Sequence, residues 1–157
     1  MFAVRHTYPW NYFVMTLFTL GTSYSLGIVS IAYAPSAVLA ALALTASAMG
    51  LMALLAHLMR HRDLSLFGLG LVAVGWVFLV ALVVLSFFRV TATGSILIGA
   101  SGAALFCAYT VFDLWLMMQP ARGLAVDEYM MAAMNLYLDF INIFLFILQA
   151  IGGAQRE

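Results

Sequence analysis

Charge is what this sequence has least of. Only 8% of its 157 residues are charged, none is lysine, and 66% are hydrophobic. A soluble domain carries about 25% charged residues, so this composition excludes an ordinary soluble protein and indicates a membrane protein. The absence of a basic run gives nucleic acid nothing to bind. The single cysteine, Cys107, excludes an internal disulfide.

Long apolar segments dominate what remains. A helix that crosses a bilayer needs about 20 apolar residues, and five segments meet that length, near 10–33, 37–59, 64–88, 92–118 and 126–152. Short connections make neighbouring helices antiparallel. We therefore predict an all-α, polytopic membrane helix bundle with five transmembrane helices, forming one domain over residues 1–157. Ser36 is expected to cap the second helix, and Gly152-Gly153 to stop the fifth.

The arginines predict an orientation. Four of the six, Arg5, Arg60, Arg62 and Arg122, fall on the side of the membrane that holds the N-terminus, and Arg89 and Arg156 fall on the other. Positive charge favours the cytoplasmic side, so the N-terminus is expected on the cytoplasmic or matrix side. Residues 1–10 have no apolar core followed by a cleavage site, so we expect neither a signal peptide nor a transit peptide.

Two acidic residues break the pattern. Ten of the twelve charged residues lie in termini, in connections or, as Asp127 and Glu128 do, at the start of the fifth segment, whereas Asp113 and Asp139 lie well inside the fourth and fifth apolar segments. A charged Asp at the centre of a membrane helix costs roughly 3 kcal/mol. The two helices are consecutive and antiparallel, so both carboxyls are expected to face the bundle interior and to approach within direct or one-water hydrogen-bond reach.

Polar neighbours accompany each acid. Asn135, Asp139, Asn142 and Gln149 share one face of the fifth helix by their spacing, and Tyr109 and Thr110 lie one turn before Asp113. We interpret Asp113 and Asp139 as an ion or proton site, with Asn135, Asn142, Tyr109 and Thr110 in support. Two close carboxyls would share a proton and act as a pH switch. The alternative is a protonated pair that only joins two helices.

Other kinds of chemistry find little support. Intramembrane aspartyl proteases also place acids on neighbouring helices, but their flanking motifs differ from Phe112-Asp113 and from the residues before Asp139. His6, His57 and His61 are scattered, with no clustered Cys or carboxylate to complete a metal site. We expect no enzymatic activity, no bound metal and no cofactor.

The last segment resembles the final helix of a known family. Residues 126–152 read VDEYMMAAMNLYLDFINIFLFILQAIG, which is similar to the Bax inhibitor family, the transmembrane Bax inhibitor motif proteins. The family pattern is an acidic-Tyr pair, then Ala-x-Asn-Leu-Tyr-x-Asp-Ile-Ile-Asn-x-Phe. The matching residues here are Glu128, Tyr129, Ala133, Asn135, Leu136, Tyr137, Asp139, Asn142 and Phe144. Residues 6–11, 23–27 and 62–65 resemble its lifeguard branch.

The resemblance implies a function for the two acids. Family members are described as cation leak proteins, mainly for calcium, in which two aspartates on the last two helices sense pH. Asp113 and Asp139 occupy those positions. The family usually reads Asp-Thr-Gln at the first of them, whereas this chain has Asp113-Leu114-Trp115. The resemblance therefore implies a calcium or proton site with two fewer polar neighbours.

The resemblance also bears on partners. The family has seven spans, and this chain begins where the third would begin, so its five helices correspond to the family bundle without the first two. Hydroxyl and small residues on the first helix favour close packing against another helix. We therefore expect a protein partner there, with a heteromeric complex favoured over a homodimer. The alternative function is an accessory subunit of a large organellar complex, in the mitochondrial inner membrane or the endoplasmic reticulum.

Overall fold

Five long α-helices make up the protein. The computed structural model describes residues 10–88, 90–119 and 129–155, and no strand occurs among them. The helices are α1 (Trp10–Ile31), α2 (Pro35–Leu58), α3 (Ser65–Leu85), α4 (Ala92–Met117) and α5 (Tyr129–Ala154). Each is long enough and apolar enough to cross a membrane. The predicted all-α bundle of five membrane helices is confirmed.

The start of α2 differs from the prediction. The helix begins at Pro35, and Ala34, in an extended conformation, is its N-cap. Proline suits the first helical position because its φ is already helical and its missing N–H would have no partner there. The predicted cap at Ser36 is therefore wrong, since that residue already lies inside the helix.

The end of α5 also differs. The helix continues through Gly152 and Gly153 to Ala154, so the predicted stop at the two glycines is wrong. Both glycines are buried, and a Cβ at Gly152 would collide with the ring of Tyr33, while one at Gly153 would collide with Ile96. They serve helix packing rather than helix termination. Asp127 and Glu128, at the predicted start of this helix near residue 126, lie outside the described residues.

The contact between α4 and α5 is the closest in the bundle. A Cβ at Gly99 would lie 2.6 Å from the carbonyl oxygen of Phe146 and 2.6 Å from the amide nitrogen of Ala150. The next glycine on the same face, Gly102, lies against the ring of Phe146. Small residues allow two backbones to approach this closely in lipid. α5 also holds the most deeply buried large side chains, Ile143 and Leu148, and is therefore the central helix.

α2 packs on the other side of α5. Ala37 and Ala41 of α2 form a buried cluster with Phe144 and Leu148 of α5. The fully buried Thr45 donates its hydroxyl hydrogen to the carbonyl oxygen of Ala41 at 2.7 Å, so it leaves no polar atom unsatisfied in this contact.

The other two helices are peripheral. α3 rests mainly on α4, where the ring of Phe112 lies against Gly68. α1 contacts α5 through a hydrogen bond of 3.0 Å between the hydroxyls of Thr22 and Tyr137 and through an edge-to-face contact of Phe18 with Tyr137. No described side chain of α1 is buried. Most of this helix therefore faces the bilayer in the single chain.

The glycine contact makes a testable prediction. Gly99→Ala would force α4 and α5 apart, because the new Cβ meets backbone atoms that cannot rotate away. We expect a loss of about 1–3 kcal/mol in bundle stability, the usual cost of overpacking. Titration of the protein with dodecyl sulfate in mixed micelles measures that change.

Gly50→Ala is the matched control. Gly50 lies in the middle of α2, and a Cβ there meets no atom within 4 Å. We expect no loss of stability from this change, because alanine is the better helix former. Equal destabilisation by the two substitutions would show that the close approach of α4 and α5 does not hold the bundle together.

Candidate intramembrane acidic site

The antiparallel register of α4 and α5 positions the acidic residues. Gly99 lies against Ala150, and Ile96 lies against Gly153. Three helical turns further along this register, Thr110 of α4 comes level with Asp139 of α5. Asp113 lies one turn beyond, about 4.5 Å further along the axis at 1.5 Å per residue. The two acids are therefore only about one helical turn apart in depth.

Asp139 is held inside the bundle. Only 7% of its surface is exposed, and its Oδ2 atom is buried without a hydrogen-bond partner. The fully buried Thr110 is its nearest polar neighbour on α4 and interacts with the Asp139 carboxyl through its side chain. The Thr110 hydroxyl also donates to the carbonyl oxygen of Phe106 at 2.8 Å. One Asp139 oxygen is thus left with an unused capacity to accept or share a proton.

Asp113 lies near Asp139 but does not bond to it directly. Its side chain is half-buried, and the two carboxyls are close enough to repel each other when charged. No hydrogen bond joins them in the described structure. The expected approach of the two carboxyls within direct or one-water hydrogen-bond reach stays a prediction.

Among the residues that the structure describes, no positive charge compensates the pair. Asp113 is the charged group that acts on Asp139, and the charge of Asp139 acts in turn on Cys107 and Tyr109. Neither acid forms an ion pair with a described residue. The described residues contain no group of three or more His, Cys, Asp or Glu side chains that could hold a metal ion. An isolated acid at this depth is costly, and such residues mark functional sites in membrane proteins.

The residues predicted to share one polar face of α5 do not all face the bundle interior. Asn142 is half-buried next to Asp139, Gln149 is half-buried, and Asn135 is exposed. Asn142 and Asp139 both line a cleft of about 850 Å³ between α3, α4 and α5, whose other walls are apolar except for Tyr109. The structure therefore brings Asp113, Asp139, Thr110, Tyr109 and Asn142 together and leaves Asn135 outside.

Tyr109 serves a purpose that the sequence did not reveal. Its hydroxyl donates to the carbonyl oxygen of Leu71 in α3 at 2.8 Å. A Cβ at Gly75, one turn further along α3, would collide with that hydroxyl. Gly75 therefore makes room for a hydrogen bond that fixes α3 to α4, and its signal in the sequence was only a glycine inside an apolar helix.

Trp115 is a second residue whose role the sequence did not reveal. It stands near Asp113, where the family pattern has a polar residue. Its side chain is buried, and its Nε1 atom donates to the carbonyl oxygen of Arg62 at 2.9 Å. Gln119 donates to the carbonyl oxygen of Arg60 at 3.2 Å in the same region. These bonds attach the end of α4 to the turn between α2 and α3. A buried indole N–H usually has such a partner.

Comparison with known proteins gives one consistent result. The family model described as "Inhibitor of apoptosis-promoting Bax1" matches residues 1–156. The chain is 34% identical over 154 residues to the Golgi anti-apoptotic protein of Vaccinia virus (strain Lister), and 33% identical over 154 residues to Protein lifeguard 4 of Mus musculus. Each alignment covers 98% of this chain but 62% of the relative, so the chain spans less than two thirds of their length. No solved structure matches.

The Tyr109 hydrogen bond makes a testable prediction. Tyr109→Phe removes the hydroxyl and leaves the Leu71 oxygen one donor short, so we expect a loss of about 0.5–1.5 kcal/mol in stability. Tyr24→Phe, at a side chain that is 73% exposed, removes the same group and should change stability little. The dodecyl sulfate titration measures both. An equal effect of the two changes would exclude a role for this bond in holding α3.

Proposed function

We propose that this chain, which belongs to the Bax inhibitor family, is a pH-sensitive cation leak protein of an intracellular membrane, with Asp113 and Asp139 as its proton and cation site. The observation that carries the proposal is the burial of Asp139 at the α4–α5 contact, near a second acid and with no described basic side chain paired to it. Acids in such places are functional far more often than structural.

When Asp139 is protonated, a continuous series of hydrogen bonds runs from its carboxyl through Thr110 to the Phe106 carbonyl oxygen. A protonated Asp139 donates to the Thr110 oxygen, whose own hydrogen goes to the Phe106 carbonyl oxygen. Each hydrogen in this series of bonds then has an acceptor, which stabilises the contact of α4 and α5 at this level, while the second carboxyl oxygen of Asp139 keeps no partner. We propose that this state holds the two helices together and excludes ions.

In the ionised state, Asp139 has no proton to donate to the Thr110 oxygen. Two carboxylates near each other repel, and a cation between them relieves the repulsion. Calcium prefers six to eight oxygen ligands. The Asp113, Asp139 and Asn142 side chains supply fewer than that, so water would complete the shell. A leak pathway requires such weak, incomplete binding, because an ion that is fully coordinated leaves slowly.

The relatives suggest the cellular setting. The name of the vaccinia relative describes an anti-apoptotic protein of the Golgi, and we propose a corresponding protective role at an intracellular membrane for this chain. The mitochondrial inner membrane and the endoplasmic reticulum are the other organelles proposed from the sequence. The chain spans 62% of the length of these relatives. Any activity of the full-length relatives is therefore a proposal for this chain.

The first test of the acid pair is Asp139→Asn. Asparagine keeps the shape and hydrogen bonding of the side chain but cannot titrate. We expect vesicles reconstituted with the unaltered chain to release calcium at a rate that depends on pH, and the variant to release it at one rate across the same range. A calcium dye outside the vesicles measures both.

Asp63→Asn is the control for this measurement. Asp63 lies in the turn before α3, outside the membrane, where its carboxylate accepts a hydrogen bond from the Ser65 amide. Its replacement should leave the pH response intact. If Asp139→Asn responds to pH as the unaltered chain does, the acid pair is not the sensor. If the unaltered chain releases no calcium, the leak function itself is wrong.

A second candidate function is that of a non-catalytic accessory subunit in a larger membrane complex. The observation that favours it is α1, where no described side chain is buried within the single chain. Its hydroxyl residues Thr16, Thr19 and Ser25 donate to carbonyl oxygens of their own helix at 2.8–3.0 Å. The helix is therefore satisfied in lipid and also able to pack against a partner helix.

Native electrophoresis of membranes solubilised in a mild detergent separates the two candidates. A subunit migrates with an assembly many times larger than the 17.1 kDa chain, whereas a free leak protein migrates as a small oligomer. Leu20→Trp on α1, at a side chain that is 63% exposed, should shift the protein from the large to the small form. A small form without any substitution would contradict the subunit.

A further inference from the structure

The cleft between α3, α4 and α5 extends well beyond the acidic residue that lines one part of it. Its volume is about 850 Å³, within the range of sites that bind drug-sized molecules. One wall comes from α3, including Val72, Ala73 and Trp76, and the opposite wall from Leu105 and Phe106 of α4 and Phe146 of α5. Trp76 exposes 68% of its surface. The cleft therefore opens sideways toward the acyl chains.

Polar groups in the cleft are few and lie together. Asp139 and Asn142, one turn apart on α5, line it. Asp139 is 7% exposed, and its Oδ2 atom has no partner. Asn142 is half-buried, and its amide has no hydrogen bond to a described residue. An apolar pocket with a few convergent polar groups is the usual form of a small-molecule site, and unsatisfied buried groups in it favour a ligand that completes them.

The chemistry of these groups narrows the ligand. A hydroxyl both donates and accepts a hydrogen bond, so it can pair with the Asp139 carboxyl in either protonation state and with the Asn142 amide. A carbonyl can accept from the Asn142 amide, but it pairs with the Asp139 carboxyl only when that acid is protonated, and an ammonium group is costly to bring to this depth. The remaining walls are hydrocarbon and aromatic. We propose that the cleft binds a neutral, long-chain lipid that carries a single hydroxyl group, with the hydroxyl on Asp139 and Asn142.

Photolabelling tests this proposal directly. The full chain is reconstituted in phosphatidylcholine vesicles with hexadecanol that carries a diazirine in the middle of its chain, and labelled positions are mapped by mass spectrometry. We expect labels on residues 69–82 and 105–109, competed by unlabelled hexadecanol. Hexadecane with the same diazirine should label these residues about five-fold less, the effect of one hydrogen bond. Equal labelling by both probes would overturn the proposal, because it indicates ordinary acyl-chain contact.

Three substitutions localise the site. Asp139→Leu keeps the size of the side chain and should reduce alcohol labelling to the level of hexadecane. Ala73→Phe fills the cleft and should abolish the labels, whereas Val77→Phe, on the same helix at a side chain that is 67% exposed and outside the cleft, should preserve them. If Asp139→Leu does not fold, the comparison of labelling in Ala73→Phe and Val77→Phe still tests the proposal. Equal labelling of that pair would overturn the proposal, and this result is independent of any ion flux.

Discussion

The close approach of α4 and α5 is the contact on which the rest of the structure depends. Gly99 on α4 and Gly153 on α5 let the two backbones approach each other, and Gly102 on α4 makes room for the ring of Phe146. In a bilayer, van der Waals packing and interhelical hydrogen bonds take the place of the hydrophobic effect between helices. The register fixed by this contact then decides which polar groups face each other. It places Thr110 across from Asp139 and leaves Asp113 one turn away.

That register connects stability with the proposed chemistry. Asp139 is tolerated because Thr110 lies beside it and because α2 and α4 shield α5 from lipid. The acid still has one unpartnered oxygen, so the network is incomplete at a buried position between α4 and α5, three helical turns from their closest approach at Gly99. An incomplete buried network is sensitive to the arrival of a proton, an ion or a hydroxyl. The ion site and the lipid cleft would both draw on this one oxygen, so occupancy of one is expected to affect the other.

The outer helices, α1 and α3, are attached by a few polar contacts and not by close backbone packing. α3 is attached to α4 by the Tyr109–Leu71 hydrogen bond, and the α2–α3 turn by the Trp115 indole. α1 is attached mainly through Tyr137. These few polar links are enough because the remaining surfaces are already in a favourable solvent, the lipid. The large exposed apolar area, which would mark an interaction site on a soluble protein, is here the ordinary surface of a membrane helix.

The sequence by itself determined the number, length and type of the helices, because a bilayer requires about 20 apolar residues per span and excludes charge from them. It also singled out Asp113 and Asp139, since they are the charges that the spans contain. It did not determine where the glycines act, so Gly152 and Gly153 were mistaken for a helix stop and Gly75 had no role. Nor did it show that Asn135 faces outward while Asn142 faces the cleft. Those facts depend on the rotation and register of neighbouring helices, which the apolar periodicity leaves free in lipid and only tertiary packing decides.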